Sequence, residues 1–228
     1  MLSYTLVLHG TSSTLSSTYV PPLQMDGGDW EIALLTFEVF NSIPNIENSI
    51  LTFGKQTIPI PIGTYELSDL ESYIKSKISK DEVFELRGNR NTLMSELKSS
   101  QAIEIDEKLA TLLGFTQTRF DANVLYISEQ PVDILPVRSL RVEVNIASGS
   151  YLLNPSTSQS VLTHSIGEIF IDTPPGYKIL EQIDRLIYYP VNTSRLSEIV
   201  VQLCDHSGKL VNFRGELVSI RLHLRKRQ

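Results

Sequence analysis

Apolar residues in this chain recur mostly at every second position, in short runs broken by Gly, Pro, Asn and Ser. A period of two is that of a strand with one face covered and one face open. Runs of this kind occupy 4–9, 83–86, 102–105, 124–127, 139–146, 166–171, 186–189, 198–204 and 217–224. The stretch 30–40 is apolar on both faces over much of its length, as expected of a strand deep in a sandwich. Ser- and Thr-rich 11–18 reads as a loop, Pro21-Pro22 restricts its neighbourhood to an edge or a loop, and Asp26-Gly27-Gly28-Asp29 reads as a turn. The last two runs are the clearest. Ile199, Val201 and Leu203 share a face, Val218, Ile220, Leu222 and Leu224 share another, and Asp205-His206-Ser207-Gly208 can turn the chain between them.

A different period interrupts this pattern in the middle of the chain. Residues 58–63 are held extended by Pro59 and Pro61, and a helix follows. Ser68 and Glu71 have the spacing of a capping box, and Leu67, Leu70, Tyr73, Ile74 and Ile78 fall on one helical face. A second, shorter helix is expected over 106–113, with Gly114 as its stop. Residues 58–115 therefore read as a small α/β element set into a β protein. Many short strands with few helices predict a sandwich or a jelly roll, and periodicity does not choose between the two. No internal repeat or long linker divides 1–228, so one domain carrying that insertion is expected.

Composition narrows the function. Of 228 residues 41% are hydrophobic, enough for a core that needs neither disulfide nor metal. The formal charge of -6 argues against wholesale binding of nucleic acid. The one basic cluster, Arg225-Lys226-Arg227, is a solvated end or a short arm touching nucleic acid or an acidic neighbour. Cys204 is the single cysteine and lies in an apolar strand pattern, which suits a buried small hydrophobe and a reducing compartment. His9, His164, His206 and His223 have no metal-ligand spacing, and neither a phosphate-binding Gly loop nor a nucleophile elbow is present. No secretion signal and no membrane-spanning run is read. A non-enzymatic protein without cofactor is expected. Tyr177, Tyr188 and Tyr189 are candidates for an interface anchor or a ligand-stacking platform, against the plainer reading of sheet packing.

Several motifs, in order, carry a family resemblance. They are Asn41-Ser42-Ile43-Pro44-Asn45, Ile60-Pro61-Ile62-Gly63-Thr64-Tyr65-Glu66 and Leu112-Leu113-Gly114-Phe115. Arg141-Val142-Glu143-Val144-Asn145-Ile146 with Gly149-Ser150-Tyr151 follows, then Pro174-Pro175-Gly176-Tyr177-Lys178. Asn212-Phe213-Arg214-Gly215-Glu216 and Ile220-Arg221-Leu222-His223-Leu224 close the series. Together they resemble the penton, or minor capsid, proteins of adintoviruses and of Polinton (Maverick) elements. The resemblance implies a single jelly roll that forms a homopentamer at the vertices of a virion, among trimers of a double jelly-roll major capsid protein. It implies no enzyme activity. The alternatives are a carbohydrate- or receptor-binding β-sandwich module, which a vertex protein can also carry, and a major-capsid or trimeric capsid-associated role.

Overall fold

Strand alternation dictates the architecture, and the computed structural model describes it for residues 2–25, 29–135, 137–154 and 159–227. Three strands open the chain: β1 (Ser3–Gly10), β2 (Thr14–Gln24) and β3 (Trp30–Phe40). Next come β4 (Ser49–Phe53), β5 (Gln56–Ile60), α1 (Leu67–Lys75), β6 (Phe84–Gly88), β7 (Met94–Ser99) and β8 (Ile103–Ile105). They are followed by α2 (Glu107–Leu113), β9 (Arg119–Phe120) and β10 (Leu125–Pro131). The remainder is β11 (Ser139–Val144), β12 (Ser150–Asn154), β13 (Gln159–Thr163), β14 (Ser165–Phe170), β15 (Lys178–Gln182), β16 (Tyr189–Pro190), β17 (Arg195–Cys204) and β18 (Val218–Lys226). The chain forms two units, one of Met1–Ile43 with Val137–Gln228 and one of Pro44–Pro136. The α/β element read at 58–115 lies inside the second unit, which also takes in β4 and β10.

The first unit is a jelly roll. Leaving aside the β12–β13 hairpin and short β16, eight strands remain among its described residues. One sheet runs β1-β18-β3-β15 and the other β2-β17-β11-β14, with every neighbouring pair antiparallel. In chain order these are the first, eighth, third and sixth strands, and the second, seventh, fourth and fifth. That succession is two interleaved Greek keys, which periodicity alone could not distinguish from other sandwiches. The inner faces meet in one core that includes Leu6, Leu15, Phe37, Val142, Val201 and Leu222. The last two long strands do not pair: β17 and β18 belong to opposite sheets, and the turn at 205–208 lets the chain cross between them.

Two departures from the expected pattern have local causes. In β3 the partners of Arg221 and Leu222 are Thr36 and Leu34, so Leu35 is an extra, bulged residue. The bulge reverses the alternation: Ile32 and Leu34 face the core before it, Phe37 and Val39 after it. This explains a run that reads as apolar on both faces. The stretch read as a loop at 11–18 is largely β2, an edge strand paired with β17 and buried chiefly through Leu15. Pro21 and Pro22 fall where that pairing skips from Thr18 to Leu23, so their missing N–H groups cost no ladder bond. Residues 26–28 of the expected turn lie outside the described residues. At 186–189 only Tyr189 enters a strand, and β15 was not anticipated.

The second unit has its own core. One sheet runs β5-β4-β8-β9, another β10-β7-β6, and α1 and α2 pack with Phe84, Leu86, Leu97, Ile103 and Phe120. Leu70 and Ile74 of α1 are buried, with Leu67, Tyr73 and Ile78 flanking them. The cap differs from the expected one. Glu66 is the N-cap and its N–H donates to the Asp69 carboxylate at 3.3 Å. Glu71 instead pairs with Lys75, one turn on, at 2.5 Å. For α2 the Asp106 carboxylate accepts from the Leu109 N–H at 2.8 Å, and Gly114 ends the helix at φ 80°.

Candidate functional site

The three candidate tyrosines do not converge. Tyr177 precedes Lys178, which pairs with Phe40, whereas Tyr189 pairs with Ile32 at the other end of β3. Eight residues of strand separate these positions, roughly 25 Å at the strand rise of about 3.3 Å per residue. Tyr188, the residue just before β16, also points away from Tyr189. Tyr189 packs against the core, and Tyr188 lies on the outer face of the sheet. No stacking platform is built from the three together. Tyr177 is 67% exposed.

Tyr188 instead belongs to a cluster that includes part of the basic tail. Its hydroxyl shares a hydrogen bond of 2.8 Å with His223 Nδ1, and the Arg225 Cζ stands 3.4 Å from its ring centroid. The Arg225 Nε–H donates to Glu31 at 2.6 Å. A cation on an aromatic face that is also ion-paired has its charge already answered. Lys226 and Arg227 continue the ladder, donating their N–H groups to the Leu2 and Asp29 carbonyls. The tail is thus the end of β18, tied down along its backbone.

The motifs behind the family resemblance turn out to be anchors of the fold. The buried Asn41 donates from Nδ2 to the Thr173 carbonyl at 2.7 Å, and its backbone exchanges bonds with Tyr177 and Gly176. Ser42 donates to the Phe213 carbonyl at 2.5 Å. In the second unit Asn45 donates to the Tyr65 and Ile134 carbonyls and accepts from the Tyr65 N–H at 2.9 Å. The side chains of Asn41, Ser42 and Asn45 hold segments distant in sequence, a role that conventional catalytic or ligand motifs do not signal.

Chemistry elsewhere is sparse. Cys204 is buried, and burial, helped by the Glu143 carboxylate, pushes its thiol up. A thiol reagent is therefore expected to label the native chain at least about tenfold more slowly than the urea-unfolded chain. Equal rates would place Cys204 at the surface. Partial burial pushes Asp205 up, but the Ser207 side chain and the Lys209 and Ser207 N–H groups outweigh it and hold the carboxyl below its ordinary value. A depressed carboxylate stabilises the fold above its unfolded pKa, about 3.9, and that contribution is lost as pH falls through the lower folded value. Asp205→Asn is expected to flatten the acid limb of the stability curve in that window, read by thermal melts from pH 5 down to pH 2. An unchanged acid limb would remove this role.

Among the described residues no three His, Cys, Asp or Glu side chains group to hold a metal, and no helix is long and apolar enough to cross a membrane. An open hollow in the second unit, about 810 Å³, is lined by Phe115, Thr116, Arg119 and Gln130 among others. Arg119 there is held by Glu104 at 3.2 Å. The more pronounced surface feature is exposed apolar side chains on strands of the jelly roll: Val20 at 90%, Phe170 at 73% and Leu180 at 64%.

No family model and no curated protein sequence matches this chain. Among solved structures it is similar to the selenomethionine-labelled crystal structure of the mavirus penton protein, over 100% of each chain, with a TM-score of 0.55 and 9% identity. The chain shares the fold of a viral penton protein along its whole length.

Proposed function

We propose that this chain is a capsid vertex protein, a penton-type subunit that closes into a homopentamer within an icosahedral virion. The observation that carries this reading is the jelly-roll strand succession together with a full-length fold likeness to a penton protein. The motif resemblance points the same way from the sequence. In this reading the mechanism is assembly: apolar surface buried between subunits supplies association energy, and polar contacts set the register. The partners are further copies of the chain and a double jelly-roll major capsid protein, and the place of action is the virion. Tyr177, exposed on a loop that Asn41 fixes, is the surviving contact candidate of the three tyrosines. The tail acts in the sheet through Arg225.

Gold-labelled antibodies against the chain test this reading on particles assembled with the full capsid set. Labels at a few discrete points, lying on five-fold positions in averaged images, are expected. Labels spread evenly over the facets would assign the chain a major-capsid role.

A further inference from the structure

We propose that the side of the jelly roll formed by β1 and β2 receives a second copy of this chain, docked through its opposite side, β14 and β15. The proposal rests on the ring reading above and says which surfaces close the ring. The first observation is in the sequence. The chain is 20% charged, yet no Asp, Glu, Lys or Arg occurs before Asp26. The second is where the fold puts that segment. β1 and β2 are the edge strands of the two sheets and touch each other across the sandwich, so one entire lateral side of the unit is built from charge-free sequence.

Edge strands that must stay single are guarded by charges, above all Lys, because their free N–H and C=O groups invite another chain. Pro21 and Pro22 blunt one end of β2, but Thr14–Thr18 is regular, uncharged and pairs only with β17 among the described residues. Val20, Val7 and Leu2 are exposed along this side. These strands bring no charge of their own, and the nearest exposed charges, Arg221 across from Val7 and Glu198 across from Thr18, stand one strand inward, so an apolar partner fits this edge better than a charged one.

The chain itself carries the matching surface. β14 and β15 are the other edges of the same two sheets, and they present Phe170 and Leu180 to solvent. Two neighbouring charges are already engaged: Glu168 accepts from Ser139 at 2.5 Å, and Lys178 pairs with Glu38 at 2.5 Å. A contact between opposite sides of identical sandwiches is heterologous, the kind that closes into a ring under rotation.

Val20→Lys and Phe170→Lys test this in the full chain. Both side chains face solvent in the single subunit, so the fold should tolerate them; melts confirm it, and Ser16→Lys repeats the test on β2. Each is expected to weaken association at least about a hundredfold by placing an unpaired ammonium in the contact. Ile127→Lys, at an exposed position of β10 in the second unit, should leave assembly unchanged. An equimolar mixture of Val20→Lys and Phe170→Lys keeps one intact contact and should form 1:1 dimers and nothing larger. Wild-type assembly by either variant overturns the proposed surfaces while the ring reading stands. Loss in Val20→Lys and Ser16→Lys alone would indicate like-to-like pairing of β2 and overturn the opposite-side contact. Wild-type protein that stays monomeric, even with the capsid partner, overturns the ring reading as well.

Discussion

Gly114→Ala is expected to unfold the second unit or strip it of roughly 2–5 kcal/mol, whereas Gly176→Ala and Gly215→Ala should each cost only about 1–2 kcal/mol. All three glycines share φ 80°, a left-handed conformation costly for any residue with a Cβ. The difference is space. A Cβ on Gly176 or Gly215 meets nothing within 4 Å, but on Gly114 it would sit 2.1 Å from the Gln130 carbonyl oxygen. That backbone cannot retreat cheaply, because the Gln130 N–H donates to the Gly114 carbonyl at 2.9 Å. Close approach of helix end and strand β10 thus requires a glycine for steric reasons beyond its torsion. Hydrogen exchange over residues 44–136 reads the effect directly. A loss there no larger than Gly176→Ala or Gly215→Ala causes in the first unit would show that conformation alone matters at Gly114.

Phe37→Ala should destabilise the jelly roll by about 3–5 kcal/mol, and Phe40→Ala, three residues along the same strand, by less than about 1 kcal/mol. Phe37 is fully buried between the sheets, while Phe40 is 48% exposed. The larger loss is a substantial share of the 5–15 kcal/mol that holds a typical domain together. Which phenylalanine lies inside follows from the bulge at Leu35, since unbroken alternation from Ile32 and Leu34 would turn Thr36 inward and Phe37 outward. Trp30, the single tryptophan, packs in the same core and reports the transition in urea through its fluorescence. Comparable losses for both variants would contradict the bulged register.

Much of this architecture was legible in the residues, and the misses are instructive. Strands with strict alternation, such as 217–224, appear where expected because one face must be buried. The helix at 106–113 and its Gly114 stop were set by local chemistry, a capping carboxylate and a residue free to adopt positive φ. The strand at 14–24 was not legible, because an edge strand on the outside of a sheet needs few apolar residues and reads as polar loop. Pairing between distant strands leaves no local trace, so the opposite-sheet placement of β17 and β18 emerged only in three dimensions, and the jelly roll was implied by the motif resemblance and not by periodicity. The candidate tyrosines illustrate the same limit. Although adjacent in sequence, Tyr189 turns to the core and Tyr188 to the outer face of the sheet, where its neighbours are His223 and Arg225. The charge-free opening segment was in plain sight, but its meaning depends on β1 and β2 lying together at one side.

Closure of these jelly rolls into a vertex ring, as proposed, is read from the solution mass of the purified chain together with electron-microscope averages of the particles. Particles of five times the 25.6 kDa subunit mass with five-fold symmetric averages are expected. Three-fold particles, or a monomer that stays monomeric when mixed with the major capsid protein, would contradict that closure.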